Sequence, residues 1–159
     1  QNDTRANMRK IEDFGRYLMI RVQGYPDLLF PDFSGGNYEL LGKFGSFVVI
    51  QSNVVDYAMI GVDTLGAKPR GEYRIYGINL NKPKDEPWEV KVGSEKVQVV
   101  RRGDKIFAVG PESIAQIHPQ TGEVKPVATT GSRIKKVTDL NSYVFVETED
   151  SSIHTYLLT

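Results

Sequence analysis

The 159-residue sequence contains no cysteine, one tryptophan and two histidines. The lack of cysteine excludes disulfides, thiol nucleophiles, iron–sulfur clusters and cysteine-ligated zinc, and it leaves the cellular compartment undetermined. The 20 basic residues are balanced by 20 acidic ones, which disfavours a nucleic-acid binder that neutralises many phosphates. No apolar run approaches the roughly 18 to 20 residues of a membrane span. A soluble globular domain is therefore expected.

Short runs rich in valine, isoleucine, tyrosine and phenylalanine alternate with turns along most of the chain. Such residues suit a pleated, half-buried strand. The 15 glycines and eight prolines fall mainly between these runs, and no helical apolar stripe persists for three turns without one of them. The expected fold class is all-β. Typical runs lie at 17–22, 47–50, 57–60, 73–78 and 143–146.

A repeat of about 40 residues organises these runs. Ile75, Ile114 and Ile153 recur every 39 residues within similar strands. A four-stranded antiparallel unit at this interval is typical of a β-propeller blade, although a β-sandwich or an up-and-down barrel would show similar alternation. The most complete unit has runs at 96–102, 106–109, 114–117 and 124–128.

The predicted organisation is a short linker followed by about four blades. Residues 1–7 are polar and are expected to be disordered or a linker. An alternative register aligns Phe14 with Phe44, 30 residues later. Because the last unit ends after a third strand, either residues 1–7 close the ring or the chain is part of a larger propeller, and the second is favoured. The blades are placed at 8–44, 45–93, 94–131 and 132–159.

The turn at 118–122 resembles the strand–turn–strand of PQQ-like and YVTN-like propeller blades, with His118 in place of their usual aspartate. More broadly, the series of runs from residue 15 to residue 159 is similar to the second half of the seven-bladed propeller of prolyl-oligopeptidase-type serine peptidases. That resemblance implies a ring that gates substrate by size and shields a separate hydrolase domain. The catalytic residues of that family lie in the other domain, so none is assigned to this chain.

The sequence offers little chemistry of its own. Neither Ser46 nor Ser132 stands in a Gly-x-Ser-x-Gly turn, the usual frame of a hydrolase nucleophile. His154 is interpreted as an ordinary strand side chain and His118 as a surface turn residue, and the two lack metal-ligand spacing. We expect no catalytic residue, no cofactor and no metal site.

Charged clusters are also interpreted as structural. The acidic run 147–150 is expected to be a solvated hairpin tip, with a weak cation site or paired acid–base carboxylates as the alternative. Two basic clusters, Arg101-Arg102 and 133–136, are expected on solvated strand faces. The glycines at 35–36 are expected in a turn, because phosphate-binding glycines lead into a helix. Trp88 is expected to pack between blades.

The expected function is a non-catalytic propeller module that binds or scaffolds a protein partner or ligand through loops at one face. The predicted variable elements are the hairpin tip 64–72 and the insertion 82–87. The alternative is the substrate-gating propeller of a prolyl-oligopeptidase-like peptidase whose catalytic domain lies outside this chain. Completion by the rest of a larger propeller and self-association of two half-rings are further expectations. Nucleic acid is not an expected partner.

Overall fold

The structure of the protein, a computed structural model, describes the backbone of residues 4–11, 15–22, 28–31, 38–62, 64–82 and 85–159, with side chains at 39–54, 62, 70–82 and 85–159. Every regular element in these ranges is a β-strand, and no helix occurs among them. The all-β fold predicted from the alternating runs is therefore confirmed.

The strands of the described ranges form four antiparallel sheets, in which each strand pairs only with strands next to it in the chain. Sheet 1 contains β1 (Thr4–Ile11), β2 (Gly15–Val22) and β3 (Leu28–Pro31). Sheet 2 contains β4 (Tyr38–Phe44), β5 (Phe47–Gly61), β6 (Thr64–Asn79) and β7 (Trp88–Gly93). Sheet 3 contains β8 (Gln98–Arg102), β9 (Lys105–Val109), β10 (Ser113–Ile117) and β11 (Val124–Thr129). Sheet 4 contains β12 (Ile134–Leu140), β13 (Tyr143–Thr148) and β14 (Ile153–Leu157).

The four runs predicted between residues 96 and 128 are the four strands of sheet 3. Tight turns explain how such short strands reverse. Gly103 at φ +59 connects β8 to β9, and Asn141 at φ +54 connects β12 to β13. Two-residue hairpin turns require positive φ, which glycine and asparagine tolerate best.

Sheet 2 begins earlier than the predicted boundary after residue 44. Strand β4 pairs with β5, with Phe44 opposite Phe47, so residues on both sides of that boundary belong to one sheet. At the N-terminus, the predicted linker 1–7 is strand from Thr4 onward, and residues 1–3 lie outside the described ranges. Strand β1 pairs with β2 in sheet 1, so the described part of 1–7 does not supply a strand to sheet 4.

Strands β5 and β6 continue beyond the four-stranded part of sheet 2 as a two-stranded ribbon. Strand β4 reaches β5 only as far as Ser52, and β7 pairs with β6 only from Tyr73. Pairing between β5 and β6 then continues across 55–61 and 64–69. The ribbon therefore extends the hairpin by about seven residues in each strand.

The ribbon corrects the prediction that residues 64–72 form a hairpin tip. These residues are the returning strand, and Pro69 pairs directly with Val55. Proline is tolerated because both strands of a ribbon have an open edge. A register shift next to Asn53 separates the ribbon from the sheet, and Gly71 opposite it adopts φ +74. The glycine and proline residues thus mark a bulge and an edge strand rather than a loop.

The chain divides into two compact units, Gln1–Lys96 and Val97–Thr159. In the first unit, consecutive residues of β5 are buried on both faces of the strand, including Val48, Val49 and Ile50. Ile75 and Ile78 of β6 are buried beside them. A strand whose two faces are both covered reads as a continuous apolar run rather than an alternating one. This explains why 47–50 is uniformly hydrophobic.

In the second unit, sheets 3 and 4 pack face to face. Burying one aliphatic or phenyl side chain in such a core contributes about 1.5–3 kcal/mol to the free energy of folding. Ile106 and Ile117, on the opposite face of sheet 3, are also buried. The shared core consists of Val100, Phe107, Val109 and Ile114 from sheet 3 with Val144, Val146 and Leu158 from the segment of sheet 4.

Candidate functional site

Arg74, on β6, bonds to two carboxylates in the described part of the first unit. Its Nε donates to Glu72 Oε2 at 2.6 Å, and its Nη1 donates to Glu89 Oε2 of β7 at 2.7 Å. The hydrogen bond from Arg74 holds the pKa of Glu72 below its usual range, and burial raises the pKa of Tyr76 to about 12. The Arg74 guanidinium therefore joins a carboxylate of its own strand to one of β7, and this ion-pair cluster links the two strands.

The sequence analysis missed the Arg74 cluster, although a signal for it was present. Basic and acidic residues alternate at Arg70, Glu72 and Arg74, with one residue between them. In a strand this spacing places all three side chains on one face. The Glu89 partner could not be read from this pattern because it comes from the next strand.

Trp88 lies against its own sheet. It is paired with Gly77 across β6 and β7, and a Cβ added to Gly77 would overlap the indole at its Cε2 and Nε1 atoms. The indole is half-buried. Trp88 therefore covers the bare backbone at Gly77, whereas the expectation that it packs between blades stays a prediction.

Arg102 links the two sheets of the second unit. From the end of β8, its Nε donates to the carbonyl of Leu158 at 2.8 Å, and its Nη2 donates to Asp139 Oδ1 at 2.7 Å. Lys105 adds a hydrogen bond from Nζ to the carbonyl of Thr159 at 3.0 Å. Arg102 was expected on a solvated strand face, and that interpretation is wrong because its guanidinium spans from sheet 3 to sheet 4. Its neighbour Arg101 is exposed, as expected.

The acidic run 147–150 and the basic cluster 133–136 belong to one surface. Glu147 pairs with Lys135 at 3.4 Å, and Glu149 pairs with Arg133 at 3.7 Å. Each exposed salt bridge of this kind contributes about 0–1 kcal/mol to the stability of the fold. The two clusters were interpreted separately, and the structure brings them together across β12 and β13.

Asp150 has a different role from the other carboxylates of this run. Its Oδ1 accepts a hydrogen bond from Thr148 Oγ1 at 2.5 Å and another from the Ser152 amide at 3.1 Å. These bonds hold the pKa of Asp150 below its usual range. The carboxylate closes the turn between β13 and β14, in which Ser151 adopts φ +69. Residues 149 and 150 therefore lie in the predicted hairpin tip, whereas Glu147 and the buried Thr148 belong to β13.

His118 is exposed in the turn between β10 and β11. Its Nδ1 accepts a hydrogen bond from the Gln120 amide at 3.2 Å, and its carbonyl accepts one from the Gly122 amide at 2.8 Å. An aspartate side chain closes a turn by the same kind of bond to the amide two residues on. The imidazole therefore closes this turn in the way that an aspartate side chain would.

His154 lies on the face of β14 that is directed toward the core, opposite Val146. Its ring is stacked on Tyr156 with centroids 6.3 Å apart, and its Nε2 is buried without a hydrogen-bond partner in the described part of the chain. Residues 39–54, 62, 70–82 and 85–159 contain no group of three or more metal-ligating side chains.

The remaining sequence candidates do not converge on a site. Ser46 Oγ donates to Asn79 Oδ1 at 2.9 Å, and the Ser132 carbonyl accepts a hydrogen bond from Thr130. Part of the insertion 82–87 is a turn, in which the Asp85 amide donates a hydrogen bond to the Lys82 carbonyl. Residues 83 and 84 lie outside the described ranges. The glycines at 35–36 also lie outside them.

Among the described residues, several exposed apolar side chains share the outer face of sheet 4, here called the Phe145 face. It faces away from the shared core and carries Phe145 with four exposed apolar side chains. These are Leu140, Tyr143, Ile153 and Leu157, of which Ile153 is 70 % exposed and Leu157 is 60 % exposed. The sequence analysis missed this surface, because alternation identifies the two faces of a strand but not which of them is covered.

A comparison with protein-family models, curated proteins and solved structures found no match. Within the described ranges, no helix has the length and apolar character that crossing a membrane would require.

Proposed function

We propose that this chain is a series of β-propeller blades that acts as a non-catalytic binding module, and that its Phe145 face holds a further antiparallel β-sheet. The single observation that carries the proposal is the exposure of apolar residues on this face. In sheet 3 the residue equivalent to Ile153 is buried.

The comparison of Ile114 with Ile153 supports this step. In sheet 3 the Gly110 amide bonds to the Ser113 carbonyl, and in sheet 4 the Thr148 amide bonds to the Ser152 carbonyl. The next residues are therefore equivalent, which agrees with their 39-residue spacing. Ile114 is 1 % exposed and Ile153 is 70 % exposed.

The direction of packing explains the difference. Ile114 lies in the core between sheets 3 and 4, so sheet 4 covers the face of sheet 3 that corresponds to the Phe145 face. The Phe145 face is equivalent to the face of sheet 3 that sheet 4 covers, so it suits the same kind of partner, namely another sheet with an apolar face. Uncovered apolar surface is typical of interaction sites.

The arrangement of all four sheets also supports propeller blades. Each sheet is an antiparallel meander of three or four strands, and the sheets follow one another in the chain. Radial repetition of four-stranded meanders is the architecture of propellers. The polar clusters described above are engaged in ion pairs and turns, so the proposal assigns them structural roles.

A photo-crosslinking amino acid at position 153 tests the proposal in the full chain, in extract from the source cells. We expect adducts that map to alternating residues of a β-sheet and that weaken when Leu157→Glu is added. The mass of the linked peptide shows whether the sheet comes from the same gene product or from another protein.

Position 127 provides a matched control. Val127 is exposed to 43 % on the edge strand β11, away from the Phe145 face. Identical adducts from positions 127 and 153, or adducts that map to no β-sheet, would overturn the proposal.

A further inference from the structure

Strand β14 differs from the other strands at the sheet edges. Natural sheets protect their edges from unwanted pairing with charged residues, proline or bulges. Of the eight edge strands formed by the described residues, seven contain a charged residue or a proline. Strand β14, with the sequence IHTYL, has neither. An edge without this protection is open to pairing.

The backbone of β14 presents its hydrogen-bonding groups along this edge. The Thr148 amide bonds to the Ser152 carbonyl, and the Leu158 amide bonds to the Ser142 carbonyl. In an antiparallel ladder alternate residues bond to the same neighbour, so the even-numbered residues of β14 face β13. The N–H and C=O groups of the odd-numbered ones therefore point to the open edge. These residues are Ile153, Thr155 and Leu157.

In sheet 3 the corresponding edge is occupied by a further strand. Its third strand, β10, is paired along the corresponding edge with a fourth strand, β11. Sheet 4 has three strands in the described ranges, and the position that corresponds to β11 holds no strand there. A fourth strand would run antiparallel to β14.

The pattern of β14 is complementary to itself. In an antiparallel pair centred on Thr155, Ile153 of one copy lies opposite the partner's Leu157, and Thr155 lies opposite the partner's Thr155. Aliphatic and threonine pairs of this kind are favourable across strands, and no like charges meet. We infer that two copies of this chain pair antiparallel along β14 to form one six-stranded sheet. This inference goes beyond the proposed function, because it concerns the edge and holds even if the Phe145 face binds nothing.

Disulfide trapping tests the register, because the chain has no cysteine of its own. Hydrogen-bonded residues opposite each other have Cα atoms about 5.5 Å apart, which suits a disulfide. We expect Thr155→Cys to crosslink with itself under mild oxidation. We expect Ile153→Cys to crosslink with Leu157→Cys when the two variants are mixed, but neither with itself. Val127→Cys is the control. Crosslinking of Ile153→Cys with itself, or none at Thr155→Cys, would overturn the inference.

The solution mass provides an independent test. We expect the wild-type chain to reach twice 17.8 kDa in sedimentation equilibrium as its concentration rises. Thr155→Pro should remain at 17.8 kDa with an unchanged circular dichroism spectrum, because the amide that it removes points away from β13. Thr155→Lys should also be monomeric, whereas Val127→Lys should dimerise like the wild type. A monomeric wild type, or dimers of Thr155→Pro, would contradict the inference.

Discussion

The indole of Trp88 occupies the space that a side chain at Gly77 would need. The two residues are paired across β6 and β7, and an added Cβ would overlap atoms of the indole. Glycine inside a strand normally weakens it, because it has no side chain to pack. An aromatic side chain on the adjacent strand compensates by covering the bare backbone.

The first prediction follows from this contact. Gly77→Ala should destabilise the first unit by about 1–3 kcal/mol, because the indole must leave its position. Trp88 is the only tryptophan, so its fluorescence during urea unfolding reports on this sheet. In Trp88→Leu, whose unfolding is followed by circular dichroism, Gly77→Ala should lower the free energy of unfolding by much less. Equal losses in both backgrounds would show that the indole is not the cause.

The second prediction concerns the link between sheets 3 and 4. Arg102→Met should lower the free energy of unfolding of the second unit by about 1.5–3 kcal/mol, because the carbonyl of Leu158 and the carboxylate of Asp139 lose a charged donor. Arg101→Met is the matched control and should change stability by about 0.5 kcal/mol or less. Thermal unfolding followed by circular dichroism measures both. Similar effects of the two variants would contradict the role of Arg102.

The third prediction concerns acid. Because the pKa of Asp150 is lowered in the folded chain, its carboxylate stabilises the fold above the unfolded pKa of about 4. This contribution is lost as the pH falls through the folded value. Asp150→Asn keeps an acceptor oxygen for the turn but has no charge. The urea concentration at the midpoint of unfolding should therefore be higher for the wild type than for Asp150→Asn at neutral pH. In acid the two midpoints should become equal. A difference independent of pH would contradict the prediction.

The fourth prediction concerns alkali. Burial raises the pKa of Tyr76 to about 12, so the folded chain holds the phenolic proton more tightly than the unfolded chain. The neutral phenol contributes its full share of folding stability below about pH 10. This stability is lost as the pH rises through about 12. Tyr76→Phe should be less sensitive to alkali over this range. The tyrosinate absorbance of the wild type minus that of the variant should show one group titrating near 12, with Tyr143→Phe as the spectral control.

Local patterns in the sequence predicted sheet 3 well. Its strands are short apolar runs such as 106–109, and its reversals contain residues such as Gly103 that favour positive φ. The structural role of His118 could also be anticipated, because a turn depends on residues within a few positions of each other. Ile114 and Ile153, which are 39 residues apart, each follow a serine whose carbonyl accepts a hydrogen bond across a hairpin, whereas the blade repeat itself stays a prediction.

Features that depend on distant residues could not be predicted in the same way. Arg102 bonds to a carbonyl 56 residues away, and nothing near Arg102 in the sequence distinguishes it from the exposed Arg101. The ribbon was misread because Pro69 and Gly71 are typical of loops, and only pairing with β5 shows that they lie in a strand. Trp88 and Gly77 offered a usable signal, since a glycine inside an apolar run requires a neighbour that covers it.

The meander order of the four sheets has an evolutionary consequence. Because every pair of hydrogen-bonded strands among the described residues is also consecutive in the chain, a duplicated segment of about 40 residues inserted at 130–133 would form its own ladder and leave the other ladders unchanged. A duplication or deletion of this kind would change the chain by one whole sheet. Selection then acts on the number of sheets separately from the fold of each.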